Sequence, residues 1–183
     1  MELSALQGIL SRERTSGNLV GAGDEIATHA SLLRERDMVA VVNRGLDRYD
    51  RLGNGTHFEP VPQLRDEQRR AVEIVLDSTD LAINVRGAAG TGKTATLREI
   101  DRGLRENGTQ VVAVAPTRSA VDELQKVGFR DVMTVSRLLE DQESQRVLVG
   151  KVMIVDEAGM VSGKQMAENR RSDIVYPSVD TQQ

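Results

Sequence analysis

Eight consecutive residues, Gly87-Ala88-Ala89-Gly90-Thr91-Gly92-Lys93-Thr94, have the types and spacing needed to grip a polyphosphate. Glycines let the backbone curl until several N–H groups face one hollow, a nest for phosphate oxygens. Lys93 supplies a point charge that reaches β- and γ-phosphates, and the Thr94 hydroxyl is a hard ligand for Mg²⁺. Further along, the apolar run Lys151-Val152-Met153-Ile154-Val155 ends in Asp156-Glu157. Asp156 is placed to hold Mg²⁺, usually through water, and Glu157 to polarise an attacking water as general base. Each feature has a plainer reading: a chance glycine turn, or one of the many strands that end in acidic residues. Their occurrence together, in the expected order, disfavours both.

Such a loop works only between a strand and a helix. Leu81-Ala82-Ile83-Asn84-Val85 reads as a short buried strand. The helix predicted from about Lys93 to Glu106 offers its free N–H groups and positive dipole end to the same anion. Asn107-Gly108 closes it. Gln110 to Ala115 is an apolar, β-branched run and predicts a buried parallel strand. Pro116-Thr117 then turns into a helix from Arg118 to about Val127. Asp131 to Val135 predicts another strand, Ser136-Arg137-Leu138-Leu139 a short helix, and Gln142 to Gln145 a polar loop. Upstream, a helix is expected from Leu64 to about Leu76. Its Gln68 has an amide that can donate to and accept from an adenine edge at once; taken alone, the segment is equally an ordinary amphipathic helix. Alternating strands and helices around the phosphate loop predict an α/β fold of the P-loop NTPase kind, a parallel sheet with helices on both faces. Strands running one way gather Gly87 to Thr94, Pro116-Thr117 and Asp156-Glu157 at their C-terminal ends, where open α/β sheets bind ligands.

The first third predicts a small, mostly helical segment. Residues up to about Asn18 form a weak helix, and Gly21-Ala22-Gly23 reads as loop. Thr28 is the expected N-cap of a helix from about His29 to Arg44, whose apolar face carries Leu32, Leu33, Met38, Val39 and Val42. Asn54-Gly55 is a turn signal within a linker, which puts the domain boundary near Pro60 and the two domains at 1–59 and 60–183.

Composition narrows the classes. The 183 residues carry a net charge of -4, with 39% hydrophobic and 28% charged residues and no cysteine, which suits a globular protein without disulfides or thiolate metal sites. With only His29 before the linker and His57 within it, and no cysteine, no metal set is expected. No apolar run reaches membrane-spanning length and the N-terminus lacks a signal peptide pattern, so a cytoplasmic protein with no membrane partner is expected. The sequence sets no oligomeric state. Aromatic residues are only 2%, so base stacking platforms are few and any nucleic-acid site must be a local basic patch.

Gln68, the Gly87 to Thr94 loop, Ala115-Pro116-Thr117, Thr134-Val135-Ser136 and Val155-Asp156-Glu157-Ala158-Gly159-Met160-Val161-Ser162 resemble successive motifs of superfamily 1 DNA helicases, in the branch of RecD and the TraI/TrwC conjugative relaxases. The resemblance covers about Gln63 to Met166 and implies a RecA-like fold for that stretch. It implies a DNA motor with ATP and Mg²⁺ as ligands: Gln68 selecting adenine, Gly87, Ala88, Ala89, Gly90, Thr91, Gly92, Lys93 and Thr94 holding the phosphates, Thr94 and Asp156 the metal, and Glu157 the water. It places Pro116, Thr117, Arg118, Thr134, Ser136 and Arg137 along a single-stranded DNA track, touching phosphates rather than bases. It also implies a second lobe that sends an arginine to the γ-phosphate, and a relaxase nuclease with a histidine cluster, neither of which is read in these residues. Beyond Met166 the pattern departs from the family. Val179-Asp180-Thr181-Gln182-Gln183 either echoes the family's Gly-Asp-x-x-Gln motif or is unrelated sequence. Two other readings stay open: a non-enzymatic ATP-binding remnant or regulatory module, and a small-molecule kinase, which would need an arginine-bearing lid.

Overall fold

In the computed structural model, residues 3–22, 25–87, 91–161 and 176–178 are described. The chain divides into two compact units, Met1–Val41 and Val42–Gln183.

In the first unit, helix α1 (Leu3–Thr15) leads into a hairpin of β1 (Leu19–Ala22) and β2 (Glu25–Thr28), followed by α2 (His29–Arg44). The loop expected at Gly21-Ala22 is strand instead: Gly21 pairs with Ile26 and Ala22 with Glu25. A glycine weakens a strand but does not end one when a partner takes its hydrogen bonds. Gly23 lies outside the described residues. Thr28 caps α2 as expected, its hydroxyl accepting from the Ser31 N–H at 3.1 Å. Leu6, Ile9, Ile26, Leu32, Leu33 and Val39 are all exposed.

The second unit is built on β4 (Val111–Ala115) and β6 (Val152–Val155), both buried along their length. Because side chains alternate along a strand, such a run feeds two cores at once. Val111, Ala113 and Ala115 of β4, with Val152 and Ile154 of β6, face α3 (Asp66–Asp77), α4 (Lys93–Glu106) and α5 (Arg118–Lys126). Val112, Val114, Met153 and Val155 face the other way, onto Val135 and Leu138 of α6 (Val135–Glu140) and onto Leu148. The expected helices on both faces are therefore present. β3 (Ala82–Asn84), β5 (Val132–Thr134) and β7 (Tyr176–Ser178) complete a sheet of order β3-β7-β6-β4-β5, parallel throughout. Past Met166, then, the chain returns to the sheet between β3 and β6. Val179 to Gln183 lies outside the described residues.

The polar loop expected at Gln142 to Gln145 is helix α7 (Gln142–Val147). It has no apolar stripe to announce it. Asp141 starts it as N-cap, one carboxylate oxygen accepting from the Glu143 N–H and the other from the Ser144 hydroxyl.

The turn-rich stretch from Tyr49 to Pro62 expected as linker, with Gly45 before it, is fastened to the second unit. The Leu81 N–H donates to the Gly45 carbonyl at 2.8 Å, and the Gly53 N–H donates to Leu76 at the end of α3 at 2.7 Å. Gly45 has no room for a side chain, since a Cβ there would stand 2.3 Å from that of Leu81. Asn54 and Gly55 make the expected turn, both at positive φ (51° and 67°). Val61 donates its N–H to the buried Glu99 carboxylate of α4 at 2.8 Å, and Arg102 lies 4.3 Å over the Phe58 ring. These ties set the start of α3 against α4, beside the phosphate loop. The division between the two compact units falls inside α2.

Candidate functional site: the C-terminal edge of the sheet

Asn84 at the end of β3 is level with Ser178, and Ser178 with Val155 at the end of β6. Two strand spacings, about 10 Å, therefore separate the strand that feeds the phosphate loop from the one that delivers Asp156-Glu157. On the other side of β6, Val155 is level with Val114, and Ala115 with Thr134. Four strand ends thus bring Gly87, Thr91 to Thr94, Asp156-Glu157, Pro116 to Arg118 and Thr134 to Arg137 to one edge. Ala88, Ala89 and Gly90 lie outside the described residues.

The described parts of the loop are shaped by close approach. A Cβ on Gly87 would meet the Thr91 hydroxyl at 2.7 Å and Lys93 Cγ at 3.3 Å. Gly92, N-cap of α4, has φ 78°, and a Cβ on it would lie 2.6 Å from Gln68 Nε2. Only glycine meets both conditions there. The Lys93 ammonium crosses the loop and donates to the Gly87 carbonyl at 2.7 Å. Thr94, in the first turn of α4, is exposed.

Gln68 is brought to this loop by α3. Its Oε1 accepts from the Arg65 N–H at 2.9 Å, which aims Nε2 at the Thr91 and Gly92 carbonyls, 3.2 Å from each. The amide expected to read adenine thus engages the back of the loop in this structure. Arg65 joins it, donating through its guanidinium to the Thr91 carbonyl. Sequence reasoning missed Arg65, whose sole signal is an arginine where helices usually begin with a small acceptor.

Asp156 is half-buried and Glu157 exposed. The Glu157 N–H donates to Asp156 Oδ1 at 3.0 Å, and Glu157 takes φ 53°, left-handed for a residue with a side chain. That bend turns the chain off β6 into a short 3-10 turn, Ala158–Met160.

At the far end of the edge, Thr117 and Thr134 are the N-caps of α5 and α6. Their hydroxyls accept from the Ala120 N–H (3.1 Å) and the Arg137 N–H (3.2 Å), so each hydroxyl proton remains available to donate outward. Arg118, Ser136 and Arg137 are exposed and Pro116 half-buried. Arg118 lies 3.5 Å from Asp122, an exposed pair that holds it weakly.

The residues present fit a Mg-nucleotide. Gly87 stands where a side chain would crowd Thr91 and Lys93, the lysine reaches across the loop, and Thr94 and Asp156 offer the hard oxygen donors that Mg²⁺ takes.

A family model described as an AAA domain matches residues 63–171, more than half of the chain. The chain belongs to the AAA domain family. It is 26% identical over 152 residues to the multifunctional conjugation protein TraI of Escherichia coli K12, covering 78% of this chain and 9% of that protein. The probable conjugal transfer protein TraA of Sinorhizobium fredii is 36% identical over 112 residues, covering 60% and 10%. The ATP-dependent DNA helicase PIF1 of Trypanosoma brucei brucei is 30% identical over 105 residues, covering 57% and 11%. The chain therefore spans only 9% to 11% of the length of these relatives. They bear out the resemblance to superfamily 1 helicases and conjugative relaxases. Among solved structures, the UvsW helicase of bacteriophage T4 superposes with a TM-score of 0.50 at 10% identity, over 97% of this chain and 69% of that one, which shows a shared α/β fold. Among the described residues no helix is long and apolar enough to cross a membrane.

Proposed function

We propose that this AAA-family chain is the ATP-binding and hydrolysing lobe of a DNA helicase motor of the RecD and conjugative relaxase kind. What supports the reading above all is the level register Asn84–Ser178–Val155, which presents the loop's cradle and an acidic pair on one edge. With ATP as substrate, the Lys93 ammonium leaves the Gly87 carbonyl for β- and γ-phosphate oxygens. The N–H groups of Gly92 and Lys93 donate to the same phosphates, and the α4 dipole adds to their field. Thr94 and Asp156 would hold Mg²⁺, which when bound supplies positive charge against the phosphate oxygens. Glu157 orients a water toward the γ-phosphorus and takes its proton as the bond to ADP breaks. Thr117, Arg118, Thr134, Ser136 and Arg137 line a track for single-stranded DNA, donating to its phosphates without reading bases.

Release of ADP from Mg-ATP, with and without an oligonucleotide of single-stranded DNA, tests this reading. The parent is expected to turn over ATP faster with DNA present. Glu157→Gln should still bind ATP while its turnover falls by about 10² or more. Equal rates in parent and variant would remove Glu157 from the reaction.

A further inference from the structure

Arg65 is the residue beside the phosphate loop that the nucleotide reading leaves without a task. It is exposed and occupies the N-cap position of α3, where Ser, Thr, Asp or Asn ordinarily accepts from free N–H groups. A guanidinium has no acceptor, so it cannot cap. It reaches instead to the Thr91 carbonyl, which Gln68 Nε2 also approaches at 3.2 Å. Two side chains one helical turn apart thus converge on one peptide of the loop. In a trans peptide the C=O and the following N–H point in opposite directions. Drawing the Thr91 carbonyl toward α3 therefore turns the Gly92 N–H away from α3. Gly92, the N-cap of α4, sits at φ 78°, and a glycine backbone can turn either way, so the set of this peptide depends on what holds it.

We propose that Arg65 is a positioning residue for the phosphates of the nucleotide. It clamps the Thr91–Gly92 peptide from behind, so that the Gly92 N–H is already aimed at the polyphosphate before it arrives. The inference rests on the nucleotide reading above and deepens it. It assigns Arg65 no contact with the base.

Arg65→Met keeps the apolar stem and removes the donors, and Arg65→Lys restores one donor. Binding of Mg-pyrophosphate, ADP, GDP and adenosine is measured by calorimetry for the parent and both variants. Arg65→Met is expected to weaken pyrophosphate, ADP and GDP by one common factor of about fivefold to tenfold, the worth of one hydrogen bond. Adenosine should be unaffected, and Arg65→Lys should recover most of the loss. As Arg65 is exposed, the melting temperature should hardly move. Undiminished pyrophosphate binding by Arg65→Met overturns the clamp, as does a loss confined to ADP and adenosine, which would make Arg65 a base contact. A parent that binds neither pyrophosphate nor ADP overturns the nucleotide reading itself, and the clamp with it.

Discussion

Lys93 donates to the Gly87 carbonyl at 2.7 Å, a bond that an arriving phosphate must displace. The lysine thus bridges the two described ends of the loop, and small changes in the backbone there should be felt. Gly92 is the sharpest case, with φ 78° and Gln68 Nε2 2.6 Å from where a Cβ would stand. Gly92→Ala is expected to cost about 1–2 kcal/mol from the left-handed backbone alone, and to push Gln68 off the loop. Both a lower melting temperature and a weaker nucleotide affinity should follow. A variant matching the parent in both would contradict the close approach. The loop and the acidic pair were legible because phosphate chemistry restricts residue type and order so narrowly. Gln68 was legible as a polar side chain near the site. What it touches was not, because its aim depends on the Arg65 N–H, and Arg65 itself breaks the rule by which N-caps are recognised.

At the scale of elements, two cores hold the edge in place. Leu97 of α4 is fully buried in the core shared with α3 and α5, so Leu97→Ala is expected to destabilise by about 2–5 kcal/mol. Ile74 of α3 is 56% exposed, and Ile74→Ala should stay within about 0.5 kcal/mol. Urea unfolding distinguishes the two, and equal effects would contradict the assigned faces. Glu99 ties α4 to the chain entering α3. Burial pushes its carboxyl up, but hydrogen bonds from Arg102 and the Val61 N–H outweigh burial and hold it below the usual value. A depressed folded pKa gives stability that is complete above the unfolded pKa and is lost as pH falls through the folded one. Glu99→Gln should thus be less stable than the parent at neutral pH, by about 1–2 kcal/mol. The deficit should shrink in acid, below the ordinary Glu value of about 4.3. A deficit independent of pH would contradict the pairing. The long β-branched runs announced β4 and β6 plainly. The β1–β2 hairpin escaped notice because four-residue strands carrying Gly21 have too little alternation to register. α7 escaped because Gln142-Glu143-Ser144-Gln145 has no apolar period, although Asp141 was a usable capping signal.

Over the whole molecule, a net charge of -4 means that the proposed DNA track would have to hold its strand through a few local cations against a mildly repelling field. Arg118 and Arg137 are the exposed ones at the β4–β5 end of the edge. Affinity for single-stranded DNA should fall with salt, and each of Arg118→Ala and Arg137→Ala should flatten the log–log slope by about 0.7. An unchanged slope would take those arginines off the track. The order of strands was not legible, since alternation tells that strands are parallel but not which are neighbours. β7 in particular was hidden, because Tyr176-Pro177-Ser178 carries a proline that argues against an interior strand. Its insertion between β3 and β6 is what sets the two halves of the site about 10 Å apart. The central claim, that this edge grips a triphosphate through the loop, is tested most directly by titrating fluorescent Mg-ATP into the parent and into Lys93→Ala. The parent should bind saturably and the variant at least about tenfold more weakly, since a charge-assisted bond to phosphate is lost. Equal binding by the two proteins would contradict it.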